Sequence, residues 1–120
     1  MYGALINVFH SFVIGPLFVY LGVIGERLDS FWFPTLLAIA AITVSIHAYL
    51  WFSRGTKPWV HTLHLALLSP LLVYIGLNQQ SSSPHAFTSL YVIGFLVIFY
   101  HLFKIWSKIL NYKIVKRSKK

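Results

Sequence analysis

Four long apolar runs, separated by three short polar connections, set the pattern of this chain. The runs cover 3–25, 31–53, 59–77 and 86–103, and none contains Asp, Glu, Lys or Arg. Each reaches or approaches the roughly 20 residues that a helix needs to cross a hydrocarbon core about 30 Å thick. Backbone in lipid must satisfy its own hydrogen bonds, so the runs predict helices rather than open strands. The connections are 26–30 (ERLDS), 54–58 (RGTKP) and 78–85 (NQQSSSPH), too short to hide a soluble domain. Short connections make sequential helices antiparallel neighbours. The expected fold is all-α: an integral membrane, up-down-up-down four-helix bundle. The first run has no basic residues before it and is too long for the core of a cleavable signal peptide.

The pattern is also written twice. Shifted by 54 residues, HSFVIGPLFVYLG from His10 falls on HLALLSPLLVYIG from His64 without a gap. Identical pairs include His10/His64, Pro16/Pro70, Tyr20/Tyr74, Gly22/Gly76, Phe33/Phe87 and His47/His101. Apolar coincidences are cheap in such a sequence; matched His, Pro, Tyr and Gly are not. The expected organisation is two tandem helical-hairpin repeats, 1–54 and 55–108, followed by a basic tail, 109–120. Hairpins in tandem share one orientation, which implies a pseudo-two-fold axis along the membrane normal.

Histidine is the chemistry this repeat carries. His10 and His64 lie near the starts of helices one and three, His47 and His101 near the ends of helices two and four. At about 1.5 Å per residue, all four fall roughly 6–12 Å inside the same membrane face. Ionisable groups inside a membrane are costly and are functional candidates by default. A layer of neutral imidazoles suits a transition-metal ion, or haem b held by two rings. Ala40 and Gly94, seven residues before His47 and His101, are expected to leave room for a macrocycle on the same helical face. Asn7 and His61, three residues before His10 and His64, are expected as supporting partners or further ligands. Against this stands the plainer reading that the histidines only hydrogen-bond neighbouring helices together. A third reading, a proton-conducting pore, needs a polar path through the opposite half of the membrane, where mainly Tyr20 and Tyr74 are available. Pro16 and Pro70 each remove a backbone donor, freeing the carbonyls of Phe12 and Ala66, and are expected to kink their helices. His85 follows SSSP and is expected to be solvated.

Composition narrows the field. Hydrophobic residues make up 58% of the chain and charged ones 10%, more apolar surface than a soluble domain of 120 residues hides. The absence of cysteine removes thiolate and CxxC redox chemistry. Glu26 and Asp29 are the only side-chain carboxylates, so a general acid/base pair inside the membrane has almost no candidates, and enzymatic turnover has no support beyond the histidines. The net charge of +8 does not read as a specific nucleic-acid surface, because the basic residues flank apolar runs or crowd the tail. Arg54, Lys57, Lys104, Lys108 and the tail KIVKRSKK share one side of the expected topology, leaving Arg27 alone on the other. The positive-inside rule then puts both termini in the cytoplasm. Expected partners are the bilayer, anionic lipid at the tail, and further copies of the chain as a homo-oligomer. Tyr20, Tyr74, Trp32, Trp51, Trp59 and Trp106 suit the membrane interfaces.

The unit H-x5-P-L-x-V-Y-x-G, carried by His10, Pro16, Tyr20, Gly22 and their mates His64, Pro70, Tyr74 and Gly76, is followed by a helix ending in Tyr100-His101. It resembles small uncharacterised multi-pass membrane proteins of giant DNA viruses over most of the chain. The first half departs from it with Ile46 before His47. The resemblance implies a viral membrane setting and no particular chemistry.

Overall fold

The computed structural model describes the backbone of residues 2–53 and 59–118, and the side chains of 3–53 and 59–112. Four helices are long and apolar enough to cross a membrane: Gly3–Arg27, Trp32–Ser53, Trp59–Ser81 and Pro84–Tyr112. No strand occurs among the described residues. The all-α expectation therefore holds. The fourth helix continues as far as Ser118, beyond the apolar run. The RGTKP connection and the side chains of the basic tail, on which the charge asymmetry largely rests, lie outside the described residues.

The prolines shape the first and third helices. A proline inside a regular α-turn has no N–H to give and presses its ring against the carbonyl four residues back. The chain accommodates each one with a single wide π turn just before it, His10–Ile14 before Pro16 and His64–Leu68 before Pro70. In these turns the N–H of Gly15 reaches the His10 carbonyl, and that of Ser69 the His64 carbonyl, five residues back. Both π turns start at a histidine, and they stand 54 residues apart. The expected disturbance at each proline thus takes the form of a local widening.

Helix ends also match at that spacing. The first helix closes at Gly25 with φ of 58°, the third at Gln79 with φ of 53°. The Leu28 N–H then bonds the Gly25 carbonyl and the Ser82 N–H the Gln79 carbonyl, each at 3.1 Å. Asp29 accepts the Phe31 N–H at 3.0 Å and so prepares the start of the second helix. One of the two carboxylates is thereby assigned to helix initiation.

The chain divides into two compact units. One joins Met1–Val23 to Thr88–Lys120, and the other is Ile24–Phe87. Each pairs helices from different sequence repeats: first with fourth, and second with third. The repeat boundaries 1–54 and 55–108 therefore describe the sequence, whereas contacts follow a different partition.

In the first unit the helices run antiparallel. Along the first helix, Gly3 lies beside Lys108, Asn7 beside His101, and Gly15 beside Gly94 and Ile98. Phe18, Leu21 and Leu90 form the apolar core here. The tightest point is Gly94, where a Cβ would lie 2.7 Å from the Val19 nitrogen and 2.8 Å from the Gly15 carbonyl oxygen. In lipid, apolar side chains gain little by leaving one hydrocarbon surface for another, so close backbone approach at small residues drives such pairing. In the second unit Phe33, Leu36 and Ala40 of the second helix are buried, as are Leu68, Leu72 and Ile75 of the third. These helices meet closely at Gly76, whose absent Cβ would stand 3.0 Å from the Phe33 carbonyl and 2.6 Å from Leu37.

Candidate functional site: two imidazole pairs

Helix pairing brings the four matched histidines together two by two. In the first unit the rings of His10 and His101 stack with centroids 4.6 Å apart and planes 27° from parallel. In the second unit His47 and His64 stack more closely, at 3.9 Å and 10°. Each pair takes one ring from the start of a π turn and one from the antiparallel partner helix, His47 near the end of its helix and His101 in the body of a helix that runs on to Ser118.

The Nδ1 atoms are held from the side. His10 Nδ1–H donates to the Ile6 carbonyl at 2.8 Å, and His64 Nδ1–H to the Val60 carbonyl at 2.7 Å. A carbonyl can only accept, so both protons must sit on Nδ1. The two partner rings bond across the helix pair instead. His101 Nδ1–H donates to the Asn7 amide oxygen at 2.8 Å, and His47 Nδ1 meets His61 Nδ1 at 2.7 Å. Asn7 and His61 occupy matching places 54 residues apart and do matching work. Each meets the ring on the facing helix rather than the histidine three residues further along its own. Asn7, His61 and His101 are all buried.

Neither Gly94 nor Ala40 borders an open space in this structure. The place beside Gly94 is filled by the backbone of the first helix, and Ala40 is buried in the second unit. Nor does either stacked pair suit a metal ion as it stands. A nitrogen lone pair lies in the ring plane, and the planes of His47 and His64 run nearly parallel. Two such lone pairs do not converge on one ion at the ~2.0–2.1 Å of a metal–nitrogen bond. Haem iron would need the rings on opposite faces of the macrocycle, not face to face. Among the described residues, no group of three or more His, Cys, Asp or Glu is arranged to hold a metal ion.

One polar group escaped the sequence reading. Ser11 is 2% exposed, and its hydroxyl has no hydrogen-bond partner. It lies one turn beyond Asn7 on the same face of the first helix. Its mate in the repeat is Leu65, so the 54-residue comparison already set it apart. By contrast, Ser69 bonds back to the His64 carbonyl at 2.8 Å. At the end of the first unit, Lys104 Nζ stands 4.8 Å over the Tyr100 ring, a cation–π contact. His85, expected to be solvated, is exposed.

No protein-family model matches the chain, and no curated protein or solved structure proves similar to it.

Proposed function

We propose that this is a small multi-pass membrane protein of structural type, whose histidines join helices into polar-linked pairs. The carrying observation is that His101–Asn7 and His47–His61 each bridge two antiparallel helices at matching positions, with Asn7, His61 and His101 buried and His47 half-buried. Interhelical hydrogen bonds of this kind are worth about 0.6 kcal/mol on average in membranes and rise to about 1.7. They also fix which helix faces which, since a slipped pair would leave an imidazole unsatisfied in hydrocarbon. The 54-residue repeat fits this reading: each copy supplies half of two polar links. Both termini face the cytoplasm, where the basic tail contacts anionic lipid. A viral membrane is the setting the sequence resemblance suggests.

A second reading, haem b or a transition metal bound by His10, His47, His64 and His101, draws on one specific observation. Three rings donate through Nδ1 to an oxygen, which leaves Nε2 as the lone-pair nitrogen, the tautomer usual for metal-bound histidine. It requires both pairs to unstack.

Purified protein in detergent separates the two. Under the structural reading, His47→Ala and His101→Ala each lower the unfolding midpoint, and His101→Gln, which keeps a donor for Asn7, recovers part of the loss. His85→Ala changes nothing, and added haemin or metal neither binds stoichiometrically nor stabilises. A Soret band or stoichiometric metal that disappears in His47→Ala and His101→Ala overturns it in favour of ligand binding.

A further inference from the structure

The two imidazole pairs differ at one atom, and that difference bears on protons. In the first unit the group facing His101 Nδ1 is the amide oxygen of Asn7, which only accepts. The proton is therefore pinned to His101. In the second unit the group facing His47 Nδ1 is another imidazole nitrogen, Nδ1 of His61, at 2.7 Å. Two bare lone pairs at that distance repel, and two N–H groups collide. One proton must lie between them. The two nitrogens are chemically the same kind of group, so either serves as donor, and the ring that accepts carries its own proton on Nε2.

We propose that His47 and His61 form a proton-binding site in the second unit: a shared-proton imidazole pair that takes up one further proton as a unit. The first unit, built to the same plan with an amide in that place, does not share its proton. On uptake the extra proton goes to the unprotonated Nε2 of the ring that donates the bridging proton, and that ring becomes the imidazolium. The product is one imidazolium donating to one neutral imidazole, with no bond to carbon made or broken. Stacking against His64 completes the surroundings: His64 lies 3.9 Å from His47, centroid to centroid, with its own Nδ1 proton committed to the Val60 carbonyl. Low dielectric strengthens such charge-assisted bonds.

The other titratable groups described in this unit are Glu26, Arg27, Asp29, Tyr49, Tyr74 and His85. Tyr49, on the second helix beyond His47, is 71% exposed. Glu26, Arg27 and Asp29 precede the second helix, and Tyr74 and His85 follow His64 by ten residues or more, about 15 Å at 1.5 Å per residue. The inference rests on the bond between the two rings, and it stands whether or not the histidines also serve helix pairing.

The test is nitrogen NMR of the full chain, labelled with 15N-histidine and held in detergent micelles or lipid nanodiscs, across a pH series. Single histidine variants assign the rings. In the natural chain, a scalar coupling between the Nδ1 nuclei of His47 and His61 is expected across the bond, and both rings should shift together in one transition. His101 Nδ1 should keep the signature of a fixed N–H. His61→Asn should convert His47 to that fixed signature. Asn7→His, which is independent of whether the first variant folds, should bring the coupling to His101. No coupling in the natural chain, or separate transitions for His47 and His61, overturns the proposal. So does an unchanged His47 signature in helical, folded His61→Asn.

Discussion

At the residue scale, the matched positions show how one local geometry is served by different side chains. Gly25 and Gln79 close equivalent helix ends with nearly the same positive φ, 58° and 53°. Glycine meets that demand freely, while a residue with a Cβ pays roughly 1–3 kcal/mol for a sparsely populated conformation. Gln79→Gly should therefore stabilise the chain by about 1 kcal/mol or more. Thermal unfolding in detergent, with Gln79→Ala as the strained comparison, checks this. Equal midpoints for the two variants would show that no strain is stored there. The same 54-residue comparison sets Asn7 against His61, a pinned proton against a shared one. Ser11, buried without a partner, has no counterpart hydroxyl at Leu65. These distinctions were open to inspection in the sequence as residue identities. Their meaning was not, because a hydrogen bond depends on which atom faces which.

Helices are held at this scale by small residues and shaped by proline. Gly94 lets the first and fourth helices touch backbone to backbone, with Val19 and Gly15 within the space a Cβ would need. Gly94→Leu should force them apart and cost about 1–3 kcal/mol, the usual penalty for overpacking. Val92→Leu, on an exposed face of the same helix, should leave stability unchanged. Denaturant unfolding in one detergent measures both, and a Gly94→Leu chain as stable as Val92→Leu would remove the crossing from that place. The prolines were plain in the sequence as sites of disturbance. That each is absorbed by a π turn starting at a histidine was not, since a kink and a widened turn satisfy the same missing donor.

For the whole molecule, length, grease and charge placement are the governing quantities. The chain has no cysteine, so single reporters can be introduced without background. If both termini are cytoplasmic, Ser30→Cys and Ser83→Cys should react with a membrane-impermeant maleimide from the outer side of intact cells or the equivalent lumen. Ser118→Cys should react only after permeabilisation. The reverse pattern would invert the topology drawn from Arg54, Lys57, Lys104, Lys108 and the tail. By itself the sequence determined four membrane-length helices and an all-α chain. Lipid leaves an apolar run of that length one economical way to satisfy its backbone. Sequence also determined how far along its helix each histidine lies, because rise per residue fixes position along an axis. Tertiary structure alone decided the rest. It set the first helix beside the fourth and the second beside the third, stacked the imidazoles face to face, and aimed His47 at His61. Position along the axis leaves rotation about it and choice of neighbour undetermined. Those follow from where glycines let two backbones approach, a property of two surfaces together that neither run of residues carries alone.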